Sequence, residues 1–206
     1  MDTQQLNGFK TMNLYRNPFA SPTEEAIGTD FIGRKSVLKK MHEYIINADK
    51  ISNYHIVGLP RIGKSSLLKA FKTMIQENHY SHDLVVLYIS LDECDNSNDM
   101  WRIIGKGIRK ELKKQFHSSD KYTNFIDELD FEDVDENNID YEYVCSVARC
   151  MKASGFLGLI LIDEFDNFST IATKGTVGQV RTLFSGSEYG LRAVVASRRM
   201  VERSEK

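Results

Sequence analysis

Residues 58–67 read GLPRIGKSSL. Gly58, Gly63, Lys64 and Ser65 satisfy the spacing G-x-x-x-x-G-K-[ST], in which backbone N–H groups wrap phosphate oxygens, the lysine neutralises the terminal phosphates and the hydroxyl binds magnesium. The same residues also suit a polar turn before a helix, so the flanks decide. Before the loop, YHIVG (residues 54–58) is a short β-branched, apolar run that reads as a strand. After it, KSSLLKAFKTMIQEN places Leu67, Leu68, Phe71, Met74 and Ile75 at helical spacing. Strand, glycine-rich loop and helix follow in the order a phosphate cradle requires. The helix starts at Lys64 and Ser65, so its unpaired N–H groups and positive dipole end point where phosphates would sit. The expected nucleotide contacts are Gly58, Leu59, Pro60, Arg61, Ile62, Gly63, Lys64, Ser65 and Ser66.

The chain has 206 residues, enough for one substantial core and a small appendage. A net charge of -2 gives no global attraction to nucleic acid. The longest strongly apolar run, GFLGLILI (residues 155–162), is far too short to span a bilayer, and the polar start MDTQQLNG lacks the apolar core of a signal peptide. The expected location is cytoplasmic, with no membrane partner. The three cysteines agree: Cys145 and Cys150 lie five apart on one helix, Cys94 is distant, and they read as reduced structural thiols.

Outward from the loop, strands alternate with helices. KSVLKKMHEYIINA (residues 35–48) reads as a helix with Val37, Leu38, Met41, Tyr44 and Ile45 on one side. DLVVLYISL (83–91) is a strand covered on both faces, and a helix follows from about Asp99 to Phe116. YEYVCSVARCMKAS is the next helix, GLILID (158–163) a strand, TVGQVRTLFSG a helix and LRAVVAS (191–197) a strand. The pattern predicts an α/β fold, three-layered with a mainly parallel sheet.

A second chemical stretch is LILIDEFDNF (residues 159–168). Its apolar half drives a strand into the sheet and delivers Asp163 and Glu164 at the C-terminal end, where parallel sheets bind ligands. Asp163 is placed to hold magnesium with Ser65, and Glu164 to polarise a water in line with the terminal phosphate. The competing reading makes Asp163, Glu164 and Asp166 caps of the next segment. On the same rim VVASRRM brings out Ser197, Arg198 and Arg199, where a cation can sense that phosphate.

Two other features carry less. Arg102, Lys106, Arg109, Lys110, Lys113 and Lys114 share one helix face opposite Trp101, Ile104, Ile108 and Leu112. That face suits a phosphate backbone, but DELDFEDVDENNIDYE downstream contains no basic residue and supplies a nearer partner. From Asp133 the acidic stretch imitates a calcium loop at Asp135 and Asn137, then fails with Asn138 in place of glycine and Val144 in place of the bidentate glutamate. It reads as an exposed insertion around residues 118–140.

Together the phosphate loop and LILIDE resemble the P-loop ATPase division that includes AAA+ and STAND proteins. The upstream NPFASPTEEAIGTDFIGRKSVLKKM is similar to the N-P-F and F-V-G-R-E segments of STAND-like, archaeal-type and replication-initiation ATPases. The likeness runs from about residue 17 to about residue 200. It implies a P-loop NTPase fold with ATP or ADP and Mg2+ as ligands. It implies that Phe31, Ile32, Gly33 and Arg34 lie at the base end of the nucleotide, although Lys35 stands where an acid is common. It equates Ala196, Ser197 and Arg198 with a T-S-R strand end whose arginine senses phosphate, on a strand between those of the phosphate loop and of Asp163. The chain stops roughly nine residues beyond Ser197, so the C-terminal part of such a module is expected to be missing.

The resulting expectation is a lead-in over residues 1–30 and an ATPase domain over 31–206. Lys64, Glu164 and Arg198 would be its catalytic groups, and Ser65 and Asp163 its metal ligands. Its role would be a slow ATPase acting as a conformational or oligomerisation switch, with homo-oligomers formed on nucleotide binding. Two alternatives stay open: a DNA-engaging initiator or loader, and a nucleotide-bound scaffold with negligible turnover.

Overall fold

Helix α1 (Lys35–Ile45) opens the part of the chain that the structure, a computed structural model, describes: residues 34–47, 50–77, 83–116, 135 and 138–198. The lead-in, Phe31, Ile32, Gly33, Arg199 and nearly all of the acidic stretch lie outside these residues. On α1 the structure buries Leu38, Met41 and Ile45, whereas Val37 and Tyr44 are 40% and 65% exposed. The expected five-residue stripe is therefore too wide. Leu38, Met41 and Ile45 form the line that meets the neighbouring helix, and Val37 and Tyr44 sit one residue, about 100°, round from it.

Two-residue strands β1 (Ile46–Asn47) and β2 (Lys50–Ile51) pair antiparallel and lead into β3 (Tyr54–Val57). With β4 (Leu84–Ser90), β5 (Leu157–Asp163) and β6 (Leu191–Ser197), β3 forms a four-stranded sheet in the order β3-β6-β5-β4, parallel throughout. The strand ending in Ser197 thus lies between the strand of the phosphate loop and the strand of Asp163. All four strands run toward the same rim, and the loops emerge there.

Helix α2 (Lys64–Glu77) covers one face, where Leu67, Leu68, Phe71 and Ile75 pack with α1 and with Val86, Leu159, Leu161, Val194 and Ala196 of the sheet. Helices α3 (Ser97–Phe116), α4 (Tyr141–Ala153) and α6 (Lys174–Ser185) cover the other, where Trp101, Ile104, Ile108, Val147, Met151 and Leu183 meet Val85, Leu87, Ile160 and Ile162. Alternation along the strands feeds both cores, which is why β4 and β5 read as continuous apolar runs. The three layers are those expected.

Element starts are set by caps that extend two helices beyond the expected bounds. Helix α3 begins at Ser97 because the Asn96 side chain accepts from the N–H groups of Asn98 and Asp99, 2.9 and 3.1 Å away. Helix α6 begins at Lys174 through a reciprocal box between Thr173 and Thr176. Gly107 lets α3 approach the sheet: a methyl there would lie 2.4 Å from a Leu87 methyl. The outer edge of β4 is straddled by an ion pair, Lys72 Nζ of α2 to Glu111 Oε1 of α3 at 2.6 Å, joining helices on opposite faces. Between Glu164 and α6 lie a single turn (Phe165–Asn167) and the short helix α5 (Phe168–Ile171). Among the described residues no helix is long and apolar enough to cross a membrane.

Candidate functional site

The loop after β3 is tied at both ends. Gly58 N–H donates to the Ser197 carbonyl at 3.2 Å, and Leu67 N–H, in the first turn of α2, donates to the Gly63 carbonyl at 3.0 Å. Between them the backbone turns through two left-handed residues, Arg61 at φ 61° and Gly63 at φ 87°. Glycine adopts that conformation freely, whereas an arginine is strained there by about 1–2 kcal/mol. Lys64, the first residue of α2, has its side chain turned back beneath the loop and is 7% exposed. Its Nζ donates to the carbonyls of Gly58 at 2.9 Å and Leu59 at 3.2 Å. An ammonium has three protons, so one more acceptor can be served without releasing the loop. The Ser65 hydroxyl makes no hydrogen bond among the described residues, and Ser66 is buried.

Asp163 follows from strand alternation. Leu159 and Leu161 face α2, so the next residue in that phase, Asp163, faces α2 as well, at the end that carries Lys64 and Ser65. It is 2% exposed. Tyr88 OH donates to its Oδ2 at 2.9 Å and the Glu164 N–H to its Oδ1 at 2.9 Å, so the buried carboxylate is held in one orientation. Each carboxylate oxygen keeps a further lone pair beyond these bonds.

Glu164 is the second non-glycine residue with positive φ among the described residues, at 46°. A left-handed glutamate costs on the order of 1–3 kcal/mol and is held by its surroundings. Its carbonyl accepts from Asn167 N–H at 3.0 Å, and its Oε2 lies 3.1 Å from Arg198 Nη2. Arg198 is itself fixed by its backbone N–H, which donates to Asp166 Oδ2 at 2.7 Å. Asn167 in turn donates to Asp92 after β4. Register sets Val57 beside Ser197 and Ile162 beside Val195, so Glu164, Arg198 and the phosphate loop emerge within about two strand spacings, roughly 10 Å.

Ser197 departs from its expected company. The same alternation that turns Ala196 toward α2 turns Ser197 to the opposite face, where its Oγ lies 2.6 Å from His55 Nε2. Burial pushes the His55 pKa down, against an opposing pull from Asp166. His55 lines a groove of about 370 Å3 together with Tyr54, Phe165, Val180, Phe184 and Val195. That groove lies under α6, across the sheet from the phosphate loop, and is separate from the candidate site.

Of the residues expected at the base end, Arg34 is described, and its guanidinium donates to the Ile62 carbonyl, on the phosphate loop itself. Phe31, Ile32 and Gly33 lie outside the described residues. On α3, Arg102 pairs with Asp99 at 2.9 Å, whereas Lys110 and Lys114 are exposed. The bonds from Tyr88 to Asp163, from Arg198 to Asp166 and from Arg34 to Ile62 were not foreseen. Tyr88 alone left a signal, a hydroxyl within the apolar run of β4.

The donor set suits magnesium. Among the described residues no group of three or more His, Cys, Asp or Glu side chains could chelate an ion unaided. Magnesium needs no such cage: one or two protein oxygens beside substrate phosphates suffice, and the buried Asp163 carboxylate and the Ser65 hydroxyl, unengaged among the described residues, are oxygens of the kind it takes.

No protein-family model matches the chain, and no curated protein sequence does. Solved structures do. A Walker-type ATPase of Pyrococcus abyssi superposes over 84% of this chain and 47% of its own, with a TM-score of 0.51 and 14% identity. The ORC2 protein of Aeropyrum pernix, in ADPNP and ADP complexes, superposes over 86% of this chain and 44% of its own, at TM-score 0.53 and 11% identity. The ORC1 protein of the same organism, in complex with DNA, covers 81% of this chain and 39% of its own, at TM-score 0.52 and 12% identity. The chain spans under half the length of each of these structures. At these identities the likeness carries the fold: the chain has the α/β fold of P-loop NTPases.

Proposed function

We propose that this chain is a magnesium-ATP-binding and ATP-hydrolysing module whose nucleotide state acts as a conformational or assembly switch. The observation that carries the reading is the meeting, at one sheet rim, of Lys64 and Ser65 at the start of α2 with a buried Asp163 and a strained Glu164 at the end of β5. A chance phosphate-loop pattern has no reason to face a buried carboxylate on the adjoining strand layer.

Lys64 would give its remaining proton to the β- and γ-phosphates, and the N–H groups at the start of α2 would take the other oxygens. Ser65 and Asp163 would hold magnesium, which when bound neutralises charge developing on the phosphates. Tyr88 would keep the Asp163 carboxylate aimed at that position. Glu164 would accept the proton of a water attacking in line, and its Oε1, the oxygen not paired with Arg198, is the atom suited to this. A γ-phosphate would compete with Glu164 for the Arg198 guanidinium. Nucleotide occupancy would thereby be felt at Arg198, just past the end of β6, as a switch role requires.

Homo-oligomer formation on nucleotide binding belongs to this reading. A second reading, a DNA-engaging initiator or loader, is favoured by the likeness to the ORC2 and ORC1 proteins. The deciding experiment measures ATP hydrolysis with and without duplex DNA over a range of salt, while the mass of the particle is followed. Nucleotide-dependent mass change with DNA-independent turnover supports the switch. DNA-stimulated turnover that falls steeply with salt supports the loader, and ATP binding without turnover supports a scaffold.

A further inference from the structure

We propose that Arg34 is a positioning residue for the phosphate loop: pinning the Ile62 carbonyl from outside, it turns the Gly63 N–H toward the bound phosphates. This rests on the nucleotide-site reading above and assigns Arg34 to the phosphate end of the ligand.

The local geometry leads there directly. The Arg34 guanidinium donates to the Ile62 carbonyl. A Cβ built on Gly63 would lie 3.7 Å from each terminal guanidinium nitrogen, so the planar group rests against that glycine. Carbonyl and N–H of one trans peptide point in opposite directions. With the Ile62 oxygen held on Arg34, the N–H of the same peptide, that of Gly63, faces away from the guanidinium, the direction in which the proposal places the phosphates. Gly63 is the residue before Lys64, at φ 87°, where the chain turns into α2.

The aim of Arg34 is fixed from below. Its carbonyl accepts from Val37 and Leu38 N–H groups at 3.0 Å each, which locks its backbone onto the first turn of α1. Helix α1 is in turn anchored through Leu38, Met41 and Ile45 in the same core as Leu67, Leu68 and Phe71 of α2. The loop is thus gripped by two cations: Lys64 holds the Gly58 and Leu59 carbonyls, and Arg34 holds Ile62. Four guanidinium N–H groups remain, so a direct contact to the base is the competing role that the experiment must separate.

Three proteins test this by titration calorimetry with magnesium: the parent, Arg34→Ala and Arg34→Lys, each with ATP, GTP and inorganic triphosphate. Circular dichroism first verifies that the variants fold. Arg34→Ala should weaken ATP and inorganic triphosphate by the same factor, about tenfold, and leave the ATP-to-GTP preference unaltered. Arg34→Lys, which keeps one charged donor, should recover part of the loss for both. Weakened ATP with unaltered inorganic triphosphate would overturn the proposal, because the guanidinium would then act on the base. Unaltered binding of both would overturn it as well. A parent protein that binds neither ATP nor inorganic triphosphate would overturn the nucleotide-site reading itself, and this inference with it.

Discussion

Arg198 Nη2 lies 3.1 Å from Glu164 Oε2, and it joins the ends of two adjacent parallel strands. The side chains are 54% and 24% exposed, so the pair contributes about 1 kcal/mol or less to stability. Under the proposed function its weight lies in turnover. Arg198→Ala should leave the melting temperature nearly unaltered and ATP affinity within about tenfold, while turnover falls by about 10²–10³-fold, as when one donor to transition-state charge is removed. Steady-state kinetics beside thermal melting measures both. Unaltered turnover would remove Arg198 from the site.

Lys64 holds the Gly58 and Leu59 carbonyls of the loop that it would share with phosphate. Lys64→Ala should weaken ATP binding by roughly 10- to 100-fold, the range for losing a charged hydrogen bond. Calorimetry with magnesium reads this, and an unaltered affinity would count against the cradle.

His55 gives a pH dependence with a definite sign. Burial lowers its pKa in the folded chain, so the unfolded chain takes up a proton first as pH falls. The stabilisation is complete above the ordinary value of about 6.5 and is lost as pH falls through the lowered folded value. Between pH 8 and 5 the parent should lose more stability than His55→Asn does, measured by denaturant unfolding. Equal slopes would show that His55 does not titrate in this way.

Gly107 sets two known effects against each other. Alanine in a helix is favoured over glycine by about 1 kcal/mol, but the added methyl would meet Leu87 at 2.4 Å inside a packed core. Overpacking costs typically 1–3 kcal/mol, so Gly107→Ala should lower stability or at best leave it level. A clear gain in urea midpoint would mean that Leu87 moves aside freely.

Much of this was readable beforehand where short-range chemistry decides. YHIV, GLPRIGKSS and the apolar phase of α2 occur in one order, and the run LILIDE ends in two acids whether or not its partners are known. Phase along α1 was harder, because Val37 and Tyr44 are apolar yet flank the stripe that meets α2. Ser197 shows the limit more sharply. Its strand was readable, but the face it presents depends on whether Ala196 or Val195 lies under α2, a matter of packing between elements far apart in sequence. Arg34 is alike: nothing near it in sequence announces Ile62, twenty-eight residues on. The left-handed Glu164 had no local signal either, since glutamate does not favour that conformation.

The central claim is that Glu164 is the base in an ATP-hydrolysing site, and Glu164→Gln tests it most directly. Glutamine keeps the size and a hydrogen-bonding oxygen but cannot take a proton. In single-turnover ATP hydrolysis the variant should bind ATP with the parent's affinity, within about threefold, and hydrolyse it about 10²–10⁴-fold more slowly. A Glu164→Gln protein that hydrolyses ATP at the parental rate, or a parent that binds ATP and shows no hydrolysis at all, would contradict it.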